Sequence, residues 1–313
     1  MADQDRHRRV VVGVDGRRCG WSALEWAAGE AVRHRCGLVV VHCWTPRRVT
    51  GPPGGTVLPA YVDLDRPGQG AQHIMAEALA RVRRLAGDLP VSGHLRPGLP
   101  APGLLAQARP EDLLVLGARS RHRFTVRLLG STITDLVERA PCALAVLPAT
   151  EPVPPGAFAG HVLIGVDDSP GATAATRLGF AEAVAANAPV AVVHAYLSEH
   201  TGSVIDEDTL EAHAVPHPPG HALLQAAIEP YRHDGPHIRR SCLTGDPATV
   251  LAEATAGARL LVLGRHHRPW PHRPVVRLSD TVLAHAHCPV LLTAPVPLPT
   301  ASRAARRSWR GDS

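Results

Sequence analysis

Lysine is absent. All 33 basic residues of this 313-residue chain are arginine, which excludes a P-loop lysine, a Schiff-base lysine and a kinase-type strand lysine from any chemistry the protein performs. The arginine bias reads as the mark of a GC-rich genome, so no single arginine carries functional weight by itself. Also missing is an uninterrupted apolar run near the ~20 residues that cross a bilayer, and Met1 to Arg9 lacks the apolar core of a signal peptide. These absences predict a cytoplasmic protein with no membrane contact. Cysteine is thin and scattered: Cys19, Cys36, Cys43, Cys142, Cys242 and Cys288 form no Cys-x-x-Cys pair and share no ligand spacing with the 19 histidines. Buried thiols in a reducing compartment are expected, and no metal centre.

What is present is apolar and periodic. Hydrophobic residues make up 45% of the chain, enough for two cores, since domains commonly run about 100–150 residues. Arg9 to Asp15 reads as a buried strand ending in an acid, and Gly20 to Arg35 follows with helical spacing. A strand at Leu38–Cys43 leads into a Pro/Gly-rich passage, Pro46 to Gly70, read as a lid or mobile loop. Then come a helix at 71–86, a short strand at 91–95, a short helix at 102–108, a strand at 113–117, a helix after Gly130 and a last strand at 143–147. Such alternation predicts an α/β fold, a parallel sheet with helices on both faces.

The pattern then restarts. Val162 to Asp167 repeats the first strand with Asp167 in the place of Asp15, Pro189–Ala195 repeats the second, Arg259–Gly264 the central one and Cys288–Leu292 the last; His42 matches His194 and Cys142 matches Cys288. A domain-sized repeat means two copies of one fold. The predicted organisation is a first domain at 1–150, a Pro-rich linker at 151–160, a second domain at 161–296 and a basic, disordered tail at 297–313. The tail is read as solvated rather than as a nucleic-acid contact.

Leu113 to Ser120, followed after nine residues by Gly130-Ser131-Thr132, is the stretch with chemistry in it. A strand, a basic loop and a helix start gather backbone N–H groups and hydroxyls where phosphate oxygens bind well. The same residues also suit an ordinary strand-to-helix connection, and Asp15 suits a turn or helix cap.

Taken together, the Val10–Asp15 strand with its copy at Val162–Asp167, the glycine loop, and the ending Ala140–Val146 echoed at Ala286–Leu292 resemble the universal stress protein family in its tandem two-domain form. The resemblance implies a Rossmann-like five-stranded parallel sheet in each copy, of the adenine nucleotide α-hydrolase-like type. It also implies pairing through the last strands, here within one chain, a homodimer being left open, and ATP binding where the loop is intact, with or without Mg²⁺. Carried over, Asp15 would accept from ribose or adenine and Cys43 would line the base. Leu116 and Gly117 would lie under the nucleotide, Arg119 and Ser120 would meet the phosphates, and Gly130, Ser131 and Thr132 would donate to them. Ser120 stands where the family has its second glycine. In the second copy Asp167, Gly264 and Arg265 are the equivalents, but Pro269, Pro271 and Pro274 remove N–H donors and Val276-Arg277 replaces Gly130-Ser131.

Three functions were weighed. The expected one is an ATP-binding stress-response factor, not an enzyme beyond slow hydrolysis, because no general base or acid pair stands near Gly130. The second is a nucleotide-free scaffold. The third, an ATP pyrophosphatase, needs a Ser-Gly-Gly-x-Asp-Ser loop where this chain has Asp15-Gly16-Arg17-Arg18.

Overall fold

Runs of valine and leucine without polar alternation suit strands covered on both faces. In the computed structural model each such run joins one sheet. The structure describes residues 8–45, 68–118, 130–149, 153–197, 204–206, 220–232, 236–265 and 278–295. The first half runs β1 (Arg9–Gly13), α1 (Arg18–Arg33), β2 (Gly37–Trp44), α2 (Gln69–Leu85), β3 (Val91–Pro97), α3 (Pro100–Leu105), β4 (Leu113–Gly117), α4 (Ser131–Arg139) and β5 (Ala143–Leu147). The second runs β6 (Val162–Gly165), α5 (Pro170–Ala186), β7 (Val190–Tyr196), β8 (Val204–Asp206), α6 (His221–Ile228), β9 (Ile238–Thr244), α7 (Pro247–Ala254), β10 (Leu260–Leu263), α8 (Leu278–His285) and β11 (Val290–Leu292).

Among the described residues the strands form an 11-stranded sheet in the order β3-β2-β1-β4-β5-β11-β10-β6-β7-β9-β8. Apart from β8, the pairing within each half is parallel, as the βα alternation predicts. Two pairings are antiparallel. β8 lies against β9 at one edge, a strand the sequence pattern did not indicate. β5 lies against β11, with Val146, Ala145 and Leu144 opposite Val290, Leu291 and Leu292, all buried.

Each strand feeds both faces, because successive side chains alternate. Val10 and Val12 of β1 point into one core with α1, α2, α5 and α6, while Val11 points into the other with α3, α4, α7 and α8. Burial pushes the Cys142 thiol up to about 11 and the Cys288 thiol to about 12, so both behave as small apolar residues of the second core. The described part of the proline-rich connection is packed down: Phe158 is buried beneath the guanidinium of Arg239, 4.9 Å from its ring, and the Gly156 N–H donates to the Ala256 carbonyl. No helix among the described residues is long and apolar enough to cross a membrane. The passage at 46–67 and the tail lie outside the described residues.

Candidate functional site

Where strand order reverses, neighbouring strands send their connections to opposite sides and leave a crevice at their carboxyl ends, the usual ligand position in open α/β sheets. In the first half that point lies between β1 and β4, and in the second between β6 and β10. Asp15 follows β1 and Gly117 closes β4; Asp167 follows β6 and Gly264 follows β10. By connectivity α4 starts on the same side, since it runs back from the carboxyl end of β4 to the start of β5.

Asp15 forms a turn. Its Oδ1 accepts the Arg17 N–H at 3.0 Å, and its Oδ2 lies 3.7 Å from Arg17 Nε. Asp167 repeats this with the Ser169 N–H at 3.1 Å and the Ser169 hydroxyl. A histidine holds each turn from the next strand: His42 Nδ1 donates to the Val14 carbonyl at 2.8 Å, and His194 Nδ1 to that of Val166 at 2.9 Å. A carbonyl only accepts, so Nδ1 carries the proton in both. The His42/His194 match was visible in the sequence; its purpose was not.

Gly117 meets a packing demand of the fold. A Cβ there would stand 2.5 Å from the Cys19 carbonyl carbon and would overlap its oxygen, so β4 ends pressed against the first turn of α1. Gly264 meets Gly171 in the same way, in the copy whose loop has lost its Gly-Ser. Leu116 is buried beside it, 3.4 Å from where a Gly13 Cβ would sit. Cys43 faces α3 rather than open space: its thiol donates weakly to the Pro100 carbonyl at 3.7 Å, and burial pushes its pKa up.

Gly130 is different. It caps α4 with φ −68° and ψ 147°, dihedrals open to any residue, and no described atom lies within 4 Å of where its Cβ would be. No side chain caps the helix and no acid occupies its first turn. Ser131 is exposed and Thr132 half-buried at this uncapped helix start. Arg119, Ser120 and the second-copy loop 266–277 lie outside the described residues.

Arg265 is the clearest departure from the expected pattern. Its guanidinium is turned away from its own domain: Nη1 donates to the carbonyls of Leu136 and Val137 at 3.3 and 3.2 Å, and Nη2 to those of Ala140 and Cys142 at 2.9 and 2.6 Å. The first three oxygens belong to the C-terminal end of α4 and its cap in the first half, the negative pole of that helix, and the Cys142 oxygen to the turn that leads into β5.

Sequence reading also missed a buried charge cluster between the halves. Glu30 and Glu182 each lie 15 residues after Asp15 and Asp167, and His34 Nε2 sits 3.1 Å from Glu182 Oε2 and 3.7 Å from Glu30 Oε2. The three offer ligand atoms of metal-binding type, but Arg33 donates to both Glu30 oxygens, which makes the group an ion-pair cluster. Acids recurring on the buried faces of two otherwise apolar helices were the signal available.

The sequence model of the universal stress protein family matches residues 6–148 and 159–294. Two universal stress proteins of Mycobacterium tuberculosis are 29% identical over 297 residues and 26% identical over 298, matches that cover 93% and 90% of this chain and 99% and 95% of those relatives. The crystal structure of a universal stress protein from Archaeoglobus fulgidus superposes with a TM-score of 0.67 at 13% identity, covering 93% of this chain and 98% of that one. A putative universal stress protein from Pseudomonas aeruginosa gives a TM-score of 0.55 at 15% identity, covering 93% and 94%.

Proposed function

The chain belongs to the universal stress protein family, and from that premise we propose that its first domain binds an adenine nucleotide, ATP in the first place, and that the protein acts in the cytoplasm as a stress-response regulator or stabilising factor. The observation that carries the reading is Gly130. The fold makes no demand for glycine there, with ordinary dihedrals and empty surroundings among the described residues, whereas a triphosphate brought up to the N–H groups of Gly130, Ser131 and Thr132 would demand the missing Cβ. Asp15 stands across the same crevice, where a ribose or base would meet it. The second domain, with Val276 and Arg277 in place of Gly-Ser, serves as a partner in the joint sheet. Turnover is not part of the proposal beyond slow hydrolysis, and Mg²⁺ would arrive with the nucleotide.

A nucleotide-free scaffold is the second reading. It is favoured by Asp167, which keeps the turn of Asp15 in a copy without the Gly-Ser, so the turn alone does not require a ligand.

Native mass spectrometry of the purified full-length chain, followed by calorimetric titration with ATP, separates the two. About one nucleotide per chain is expected, with Gly130→Val weakening binding about tenfold or more while the far-ultraviolet spectrum stays unchanged. A wild-type protein that retains and takes up none, or a Gly130→Val protein that binds as well, leaves the scaffold standing.

A further inference from the structure

Arginine is rarely buried without partners, because stripping water from a guanidinium is costly. Arg265 is 5% exposed, and burial draws its pKa down to about 10, which still leaves it charged at neutral pH. The charge is matched by a set of carbonyls rather than by a carboxylate. A helix leaves its last four carbonyls without internal partners, and a cation there meets both the dipole and the unpaired oxygens. In α4 the residue after the helix, Ala140, is extended rather than left-handed glycine and returns its N–H to the Leu136 carbonyl at 2.9 Å, while the one basic side chain of the last turn, Arg139, is exposed. The cap comes instead from the other domain, from a residue whose own N–H is tied to Thr293 Oγ1 at 3.1 Å just beyond β11.

The arrangement is one-sided. Ala118 stands after Gly117 where Arg265 stands after Gly264, and its N–H donates to the Leu147 carbonyl in the corresponding place. A methyl group has no donor to extend, so Ala118 returns no such arm toward α8. α4 also has something to gain, because nine residues are too few to hold a helix by themselves. Its anchors include Ile133, Leu136 and Val137 in the core and the Arg265 bonds at its far end.

We infer that Arg265 is a positioning residue through which the second domain sets the affinity of the first for its anionic ligand: by gripping the C-terminal carbonyls of α4 it fixes the helix whose opposite end presents Gly130, Ser131 and Thr132. The inference rests on the nucleotide reading above for the ligand, and on the hydrogen bonds alone for the grip. It gives the second copy, whose loop has diverged, a task in the first copy's site.

The test uses the full chain in four forms: wild type, Arg265→Ala, Arg265→Lys and Leu224→Ala. Leu224 is buried on α6 among β7 and α5, away from α4, so its truncation lowers stability without touching the grip. ATP affinity is read by calorimetry at a temperature where every form is folded, and amide hydrogen exchange is read across 133–140. Arg265→Ala is expected to weaken ATP about five- to fiftyfold, in the range of ordinary inter-site coupling, and to speed exchange in α4. Arg265→Lys should fall between, since an ammonium with three donors cannot serve four carbonyls, and Leu224→Ala should match wild type in both. Full ATP affinity in Arg265→Ala, or an equal loss in Leu224→Ala, overturns the inference. If wild type binds no ATP the nucleotide reading fails by itself, and exchange then decides: unchanged α4 protection in Arg265→Ala rejects the grip, and lost protection upholds it.

Discussion

Two glycines flank one loop and obey different constraints. Gly117 is held by the fold, since any side chain collides with the Cys19 backbone, while Gly130 has ordinary dihedrals and no described atom within 4 Å of where its Cβ would be. Gly117→Ala is therefore expected to cost about 1–3 kcal/mol as β4 and α1 are forced apart, whereas Gly130→Ala should stay under about 1 kcal/mol, the scale of a helix-cap change. Urea titration measures both. A Gly117→Ala protein as stable as wild type would mean that α1 is not pressed against β4. From the sequence both glycines looked alike, members of one loop pattern. The difference arises from a contact between residues 19 and 117, which no local spacing encodes.

Strands and helices were largely legible as elements, because each shows its burial in its own periodicity. Helix limits moved by only about two residues, α1 starting at Arg18 and α2 at Gln69. What ties the elements together was less visible. Asp112, 1% exposed at the entry to β4, accepts from Arg9 Nε at 3.1 Å, from Arg9 Nη2 at 2.6 Å and from the Arg109 N–H at 2.9 Å. That triple contact sets the start of β4 against the start of β1. Asp112→Ala strands those donors and is expected to lower stability by about 2–3 kcal/mol, less than for a fully enclosed pair because Arg9 keeps some access to water. A shift in the denaturation midpoint worth under about 0.5 kcal/mol would show that the pair is incidental. In the sequence Asp112 is one acid in a polar turn.

At the scale of the molecule the two halves meet along β5–β11, through Arg265 on α4 and through the Glu30–His34–Glu182 cluster. Burial alone would lower the His34 pKa, but the hydrogen bond and charge of Glu182, with the charge of Glu30, outweigh it and leave it raised. Burial also raises Glu30 against the opposing bond from Arg33. Arg33 and the exposed Arg259 border the adjoining cavity of about 280 Å³ and complete the charged surroundings. For a raised histidine the stabilisation is complete below the unfolded value of about 6.5 and is lost as pH climbs through the folded value; the raised Glu30 acts in the same direction. The thermal midpoint should therefore fall between pH 6 and pH 9, and His34→Gln should flatten that fall. Calorimetry across the range checks it, and a midpoint that rises with pH would refute the cluster's role.

The duplication, the α/β alternation and the burial of Cys142, Cys242 and Cys288 were determined by the amino-acid sequence itself, whereas Cys19, Cys36 and Cys43 are only half-buried; repeats and hydrophobic periods are local properties of a chain. Only the folded molecule decided that Gly117 must make room for α1, that two acids from separate copies share one histidine, and that Arg265 reaches α4 of the other half. Each of those depends on residues roughly a hundred or more positions apart, and their meeting is set by strand order and by the antiparallel register of β5 on β11.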